Sequence, residues 1–284
     1  MNIQPFLTST MEHTAPRLQV LISTINARFS ALEHVTHIRH PDLGYLIVHQ
    51  HANHQDGADI TALKNRFRER PDVIVIESYD SGLSRSRNLC LKHATADIVL
   101  LADDDVQYQS HFVESILRVF DSVSCDVATF VTEFGTETRY RRKPYRHNIV
   151  SILGVSSIET AFRLAPIKTK GIRFDENFGL GSAHPISEEA IFLKDCISNK
   201  LNVIYMPEVI ASHHHKSSGV DWNNKRIWFS KGAVFRRLYG FAGILFIPVL
   251  GLTKWRHYKP YYSIFDFLKC NIESFCRFKP NTIR

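Results

Sequence analysis

In Ile98-Val99-Leu100-Leu101-Ala102-Asp103-Asp104-Asp105-Val106, five apolar residues run straight into three consecutive carboxylates. The apolar part is short and begins with two β-branched residues, as in a strand buried on both faces of a parallel sheet. The acidic part then falls at the strand's carboxyl end, where open α/β sheets bind their ligands. On an extended chain alternate side chains share a face, so Asp103 and Asp105 point one way and Asp104 the other. Adjacent carboxylates repel unless a cation sits among them, and oxygen-only ligands suit a hard ion such as Mg²⁺ or Mn²⁺. An acidic turn that ends a strand and caps a helix is the competing reading, and the surroundings decide between the two.

Upstream, Arg17–Asn26 reads as a buried strand ending in small polar residues, and Gly44–Gln50 as a second, after a helix over Ala27–His40. A helix over Ile60–Glu69, a strand over Asp72–Glu77 and a helix running from Gly82 to about Ala94 precede the Ile98 strand. Strands alternating with helices imply right-handed crossovers and a mostly parallel central sheet flanked by helices. Downstream, His111–Phe120 places Phe112, Ile116, Val119 and Phe120 on one helical face. Strands over Asp126–Phe134, Ser157–Ala165 and Leu201–Met206 follow. Thr138–His147 is basic and aromatic and reads as a non-core loop, either solvated or a flap gripping a diphosphate or anionic acceptor. Ser187 is placed to cap a helix whose first turn holds Glu188 and Glu189, and capping alone would account for both acids.

At 284 residues, 44% hydrophobic and 22% charged, the chain is globular in composition. Its N-terminal stretch has no basic n-region or apolar h-region of the secretory kind. Five cysteines without CxxC spacing read as reduced thiols, which fits a cytoplasmic setting. Net charge is +7, but residues 225–284 hold twelve Lys or Arg against two acids, so the tail carries +10 and the rest −3. A polyanionic partner is therefore sought at the tail.

Gly82-x-x-x-x-Arg87-Asn88, the spacing to Asp103-Asp104-Asp105, Phe174-Asp-Glu-Asn-Phe-Gly-Leu-Gly181 and Glu188-Glu189 follow one another in a familiar order. Together they resemble a family 2 glycosyltransferase with the GT-A fold, of the kind that builds bacterial capsule, lipopolysaccharide or other surface glycans. The resemblance covers about residues 17–219. It implies an inverting transfer from a nucleotide-sugar donor, usually a UDP-sugar, to a glycan or lipid-linked glycan acceptor. It implies a divalent metal at Asp103-x-Asp105, with Asp105 as ligand and Asp103 on the metal or ribose, Asp104 beside them in the donor site. Arg87 would lie against the nucleotide, and Ser23, Thr24 and Asn26 would line base and ribose. Glu189 falls where the family places its general base, although a Glu there in place of Asp leaves Glu188 as the alternative. The family's Asp pair after the second strand is replaced by His49-Gln50-His51, leaving Gln50 to read a base edge. His213-His214-His215 follows a strand where some relatives supply a histidine to metal or diphosphate, with His213 and His215 on one face. His34, His37, His40, His51 and His54 read as surface residues.

Two other classes compete. A sugar-phosphate nucleotidyltransferase needs a Gly-rich N-terminal loop, and Ser23–Arg28 has no glycine. A non-catalytic, membrane-attached scaffold would not need Asp103, Asp105 and an acid at 189. The chain is thus divided into a catalytic domain over 1–224 and a helical, basic, aromatic extension over 225–284. Within that extension the apolar run of Arg236–Arg256 is too short for a spanning helix, which needs about 20 residues. Its basic and aromatic flanks suit an anionic membrane surface, the inner face of the cell membrane, better than nucleic acid. A buried helical hairpin or a homodimer interface is the alternative.

Overall fold

A computed structural model describes residues 15–52, 56–133, 140–212 and 221–279. The chain runs β1 (Leu18–Ile25), α1 (Leu32–Val35), β2 (Leu43–Gln50), α2 (Ala58–Arg68), β3 (Val73–Ser78), α3 (Leu83–His93) and β4 (Ile98–Ala102). It continues through β5 (Gln107–Tyr108), α4 (Phe112–Ser122), β6 (Val127–Glu133), β7 (Tyr145–Arg146), β8 (Thr160–Arg163), α5 (Leu164–Thr169), α6 (Glu188–Ser198) and β9 (Val203–Ser212). Four further helices close it: α7 (Lys225–Tyr239), α8 (Phe246–Thr253), α9 (Trp255–Tyr258) and α10 (Ile264–Arg277).

One sheet organises these elements, in the order β3-β2-β1-β4-β8-β6-β9-β5, with β7 on β9. Its first four strands are parallel, and the others mix directions around the parallel β6–β9 pair. Alternation along β1, β2 and β4 divides the core in two. Leu18, Val20, Ile22, Tyr45, Ile47 and Leu100 pack under α2 and α4. Leu21, Leu46, Val48, Val99 and Leu101 pack under α3, α5 and α6. The Ile98 stretch is therefore a strand buried on both faces, as its composition predicts.

Two expected elements are shorter than read. The helix over Ala27–His40 is a 3₁₀ turn, Asn26–Ala31, followed by the single helical turn of α1. Asn26 stands at φ 49°, and Phe29 is pulled fully into the core, so the chain bends where a long helix would run straight. The strand over Ser157–Ala165 reduces to Thr160–Arg163, because Ser156 and Glu159 form a capping box that starts a short 3₁₀ turn instead. In the basic loop, His147 is buried between the Thr129 and Ser151 hydroxyls, at 2.8 and 3.0 Å, so this end of the loop belongs to the core.

The C-terminal helices form an extension that is closely docked. Ile227, Ala233, Val234 and Leu238 of α7 pack on Phe178, Ile186 and Ile191. A Cβ on Gly232 would lie 1.9 Å from the Asn271 carbonyl oxygen, so α7 and α10 meet backbone to backbone. Arg237 is paired with Asp175 at 2.8 Å and with Asp195 at 2.7 Å. These contacts cross from the extension into the base of α6.

Candidate active site

The parallel register aligns strand ends: Ile25 lies beside Gln50, Gln50 beside Ser78, and Ile22 beside Ala102. The chain leaves β1 for β2 and β3 on one side, then returns to place β4 on the other. Asp103–Asp105 thus sit at the point where strand order reverses, the crevice that α/β sheets use for ligands. Beyond Ile22, β1 runs three residues past its β4 partners, and among these Thr24 meets the acidic run.

The three aspartates stand just past the end of β4, Asp104 and Asp105 in a turn, and they divide by burial. Asp104 is buried and accepts hydrogen bonds from Thr24 Oγ1 at 2.8 Å and Arg28 Nε at 2.8 and 2.9 Å, with Arg28 Nη2 against it as well. Its carboxylate clamps β1 to the turn that follows, so Asp104 and Thr24 engage each other where a donor contact was expected. Asp103 and Asp105 keep side-chain exposures of 38% and 33% and open to the cleft. Burial pushes the Asp103 carboxyl above its ordinary range; Arg87 opposes the shift, and Asp105, Glu188 and Asp104 add to it. This crowd of carboxylates is a donor set that a hard divalent cation would relieve.

Arg87 joins the acidic runs. Its fully buried guanidinium donates to Asp103 at 3.1 Å and to Glu188 at 2.8 Å. Asn88 beside it exchanges hydrogen bonds with Phe174 across the backbone N–H (2.8 Å) and carbonyl (3.0 Å). Leu83 N–H donates to the Leu180 carbonyl at 2.8 Å, and a Cβ on Gly181 would lie 3.0 Å from the Gly82 Cα. The two glycine-bearing segments can approach so closely only without side chains, and their contact brings α3 and the start of α6 together.

Ser187 stands at the N-cap position of α6 but at φ 66°, in the left-handed region, and its hydroxyl makes no cap. The expected Ser187 cap is therefore absent, while both glutamates stand in the first turn of α6 as read. Glu188 is buried on Arg87, and Glu189 is left half-buried beside it. Withdrawal from water pushes the Glu189 carboxyl well above the ordinary range, and the Glu188 charge pushes it further. Lys231 of α7 has its ammonium pushed down to about 8 by burial, with Glu189 working the other way. Neither Lys231 nor Arg28 stands out in the sequence, because each meets its partner only through the fold.

Other expected site residues turn inward. Gln50 donates its amide to the Asp80 and Gly82 carbonyls at 3.0 and 3.2 Å, shaping the loop before α3. Asn26 accepts from the Ala52 N–H at 2.9 Å. Ser23 is buried. His51 is not a surface residue: it groups with His49 and Asp56, their ligand atoms within 4.8 Å of one another, close enough to hold a metal. Glu77 lies 2.5 Å from His51, and Lys64 bridges Asp56 and Glu77 at 2.6 and 2.7 Å. Burial works against the Glu77 carboxylate, but His49, Lys64 and His51 outweigh it and hold its pKa at about 2. His213 and His215 lie outside the described residues.

The chain matches the family described as Glycosyl transferase family 2 over residues 30–174, just over half its length. That match ends before Glu188. No curated protein matches it. Among solved structures it is similar to S. aureus TarS 1–349, at 12% identity and TM-score 0.63, covering 91% of this chain and 81% of that one. The same protein in complex with UDP-GlcNAc aligns at 11% identity and TM-score 0.63, covering 91% and 80%. A mannosyltransferase from Pyrobaculum calidifontis, in complex with GDP-Man and Mn²⁺, aligns at 12% identity and TM-score 0.55, covering 92% and 74%. These likenesses are of fold.

Proposed function

The chain belongs to glycosyl transferase family 2, and from that premise we propose that it is a metal-dependent inverting enzyme of surface-polysaccharide synthesis. On this reading it moves a sugar from a nucleotide diphosphate donor, a UDP-sugar first among them, to a hydroxyl of a glycan or lipid-linked glycan. The observation that carries the reading is the division of the acidic runs by burial: Asp104 and Glu188 are buried against arginines, while Asp103 and Asp105, though paired with Arg87 and Arg28 at 3.1 and 3.3 Å, keep about a third of their side chains exposed and Glu189 is half-buried.

Asp103 and Asp105 offer oxygen donors that suit Mn²⁺ or Mg²⁺. When bound, such an ion stabilises negative charge on a departing nucleotide diphosphate. Arg87 fixes Asp103 from behind and, through Glu188, fixes the first turn of α6. Glu189 takes the proton of the acceptor hydroxyl, and its raised pKa makes it a stronger base than a free glutamate. Attack opposite the leaving diphosphate inverts the anomeric centre.

Thermal-shift titration with a panel of nucleotide sugars, with Mn²⁺ and with EDTA, tests the donor half. One nucleotide class should stabilise the protein only with metal, and Asp105→Ala should abolish that gain. Equal binding of UDP, GDP and dTDP with and without EDTA would remove the metal assignment. Retention of anomeric configuration in the product would remove the single-displacement mechanism.

A further inference from the structure

The C-terminal helices leave one apolar surface uncovered. Leu245, Pro248, Val249 and Leu252 recur at the three-, four- and seven-residue spacing of a single helical face, and all four are exposed. Leu245 is 70% and Leu252 67% exposed, whereas Ile247 and Gly251 on the opposite side are buried, Gly251 against the Phe267 ring. Upstream, Phe241 (80% exposed) and Ile244 prolong the stripe. α8 is thus apolar on its packed side and on its free side. Six contiguous apolar side chains facing water mark a contact surface.

The surroundings say what covers it. The Arg236 guanidinium lies 3.5 Å above the Phe241 ring, so a cation sits directly on the stripe's upstream end. Lys254, Arg256 and Lys259 follow the downstream end, all exposed, with Trp255 and Tyr261 among them. An apolar centre with cationic ends and amphipathic aromatic rings matches the interface of an anionic bilayer, such as the cytoplasmic leaflet of a cell membrane.

Length decides how the contact is made. Among the described residues, the helical run Lys225–Thr253 is long and apolar enough, by length and composition, to cross a membrane. Its first half is not free to do so, because α7 carries the Arg237 ion pairs to Asp175 and Asp195, and Gly240 at φ 62° ends it. The exposed stripe, Phe241–Leu252, spans about 18 Å, against about 30 Å of hydrocarbon.

We propose that the Phe241–Leu252 stripe seats the protein in the plane of an anionic lipid surface, lying on the bilayer rather than crossing it. Because Arg237 ties α7 to both ends of the segment bearing Glu189, the candidate base keeps a fixed attitude to that surface.

Flotation of the full chain with phosphatidylcholine vesicles, with and without phosphatidylglycerol, tests this. The wild type should float with the anionic vesicles about tenfold or more above the neutral ones, and salt should weaken it. Phe241→Ser/Leu245→Ser should lose about tenfold or more of that binding while keeping its thermal unfolding and its nucleotide-induced shift. Unchanged flotation of the double variant overturns the proposal. So does a wild type that ignores anionic vesicles and is a dimer that the double variant dissociates, since a second copy would then cover the stripe. The nucleotide shift, read separately, reports on the donor reading alone.

Discussion

Three aspartates follow a strand and two glutamates start a helix, and in each run one carboxylate, Asp104 or Glu188, is buried against an arginine. The two burials differ in kind. Asp104 turns inward just past the end of β4 and is met by Arg28, whose side chain is 58% exposed. Glu188 is held by Arg87, which is 1% exposed and also grips Asp103. The first tie has a hydrated arginine and the second a dry one. The same pairing should therefore matter less in the first case than in the second.

The sharpest break between Glu188 and Glu189 is kinetic. Glu189→Gln keeps size and removes the base, so kcat should fall by about 10²–10⁴ with donor affinity nearly unchanged. Glu188→Gln should show its main loss in stability. The opposite assignment of losses, read in kcat and in denaturant midpoint, would move the base one residue back. Arg87→Met should come next. It strands Glu188 as a buried charge, for which loss of about 3–5 kcal/mol is typical, measured by urea unfolding. Arg28→Ala should cost less, about 1–3 kcal/mol, since its guanidinium is 58% exposed and Thr24 still donates to the buried Asp104 carboxylate that it leaves behind. Equal losses for Arg87→Met and Arg28→Ala would erase the contrast between the two ties.

These ties also mark what the sequence makes legible. The Ile98 strand and the buried face of α4 follow from local periodicity, and the structure has them as read, whereas the three aspartates lie past the strand, Asp104 and Asp105 in a turn, where strand alternation does not govern them. The Asn26 bend and the capping box at Ser156 were not legible as such: in both places a side-chain or backbone detail overrides a run that otherwise suits a longer element. Arg28 finds Asp104 from 76 residues away, and Arg87 finds Glu188 from 101. No window of sequence contains both partners. His51 illustrates the same limit, because its neighbours Asp56, Glu77 and Tyr79 assemble only once β2 and β3 pair. Motif order therefore singles out candidate acids, and only the fold shows which of them are buried.

The smallest expected effect concerns Glu189's surroundings. Its carboxyl is raised first by withdrawal from water and then by Glu188, while Arg87 opposes the shift. Protonation destroys a general base, so kcat should decline as pH falls, with a midpoint well above the ordinary glutamate value of 4.5. Lys231 of α7 is a cation near enough to feel the Glu189 charge. While charged, it favours the ionised carboxylate, so removing it should raise the Glu189 pKa further. Lys231→Met should therefore move the acid limb of the kcat profile upward, and Lys231→Arg should restore it. Far above that limb Glu189 is ionised in either protein, and this charge effect fades. A structural role for Lys231 alone would lower kcat at every pH without moving the limb, and a downward movement would mean that the Lys231 charge does not act on the base.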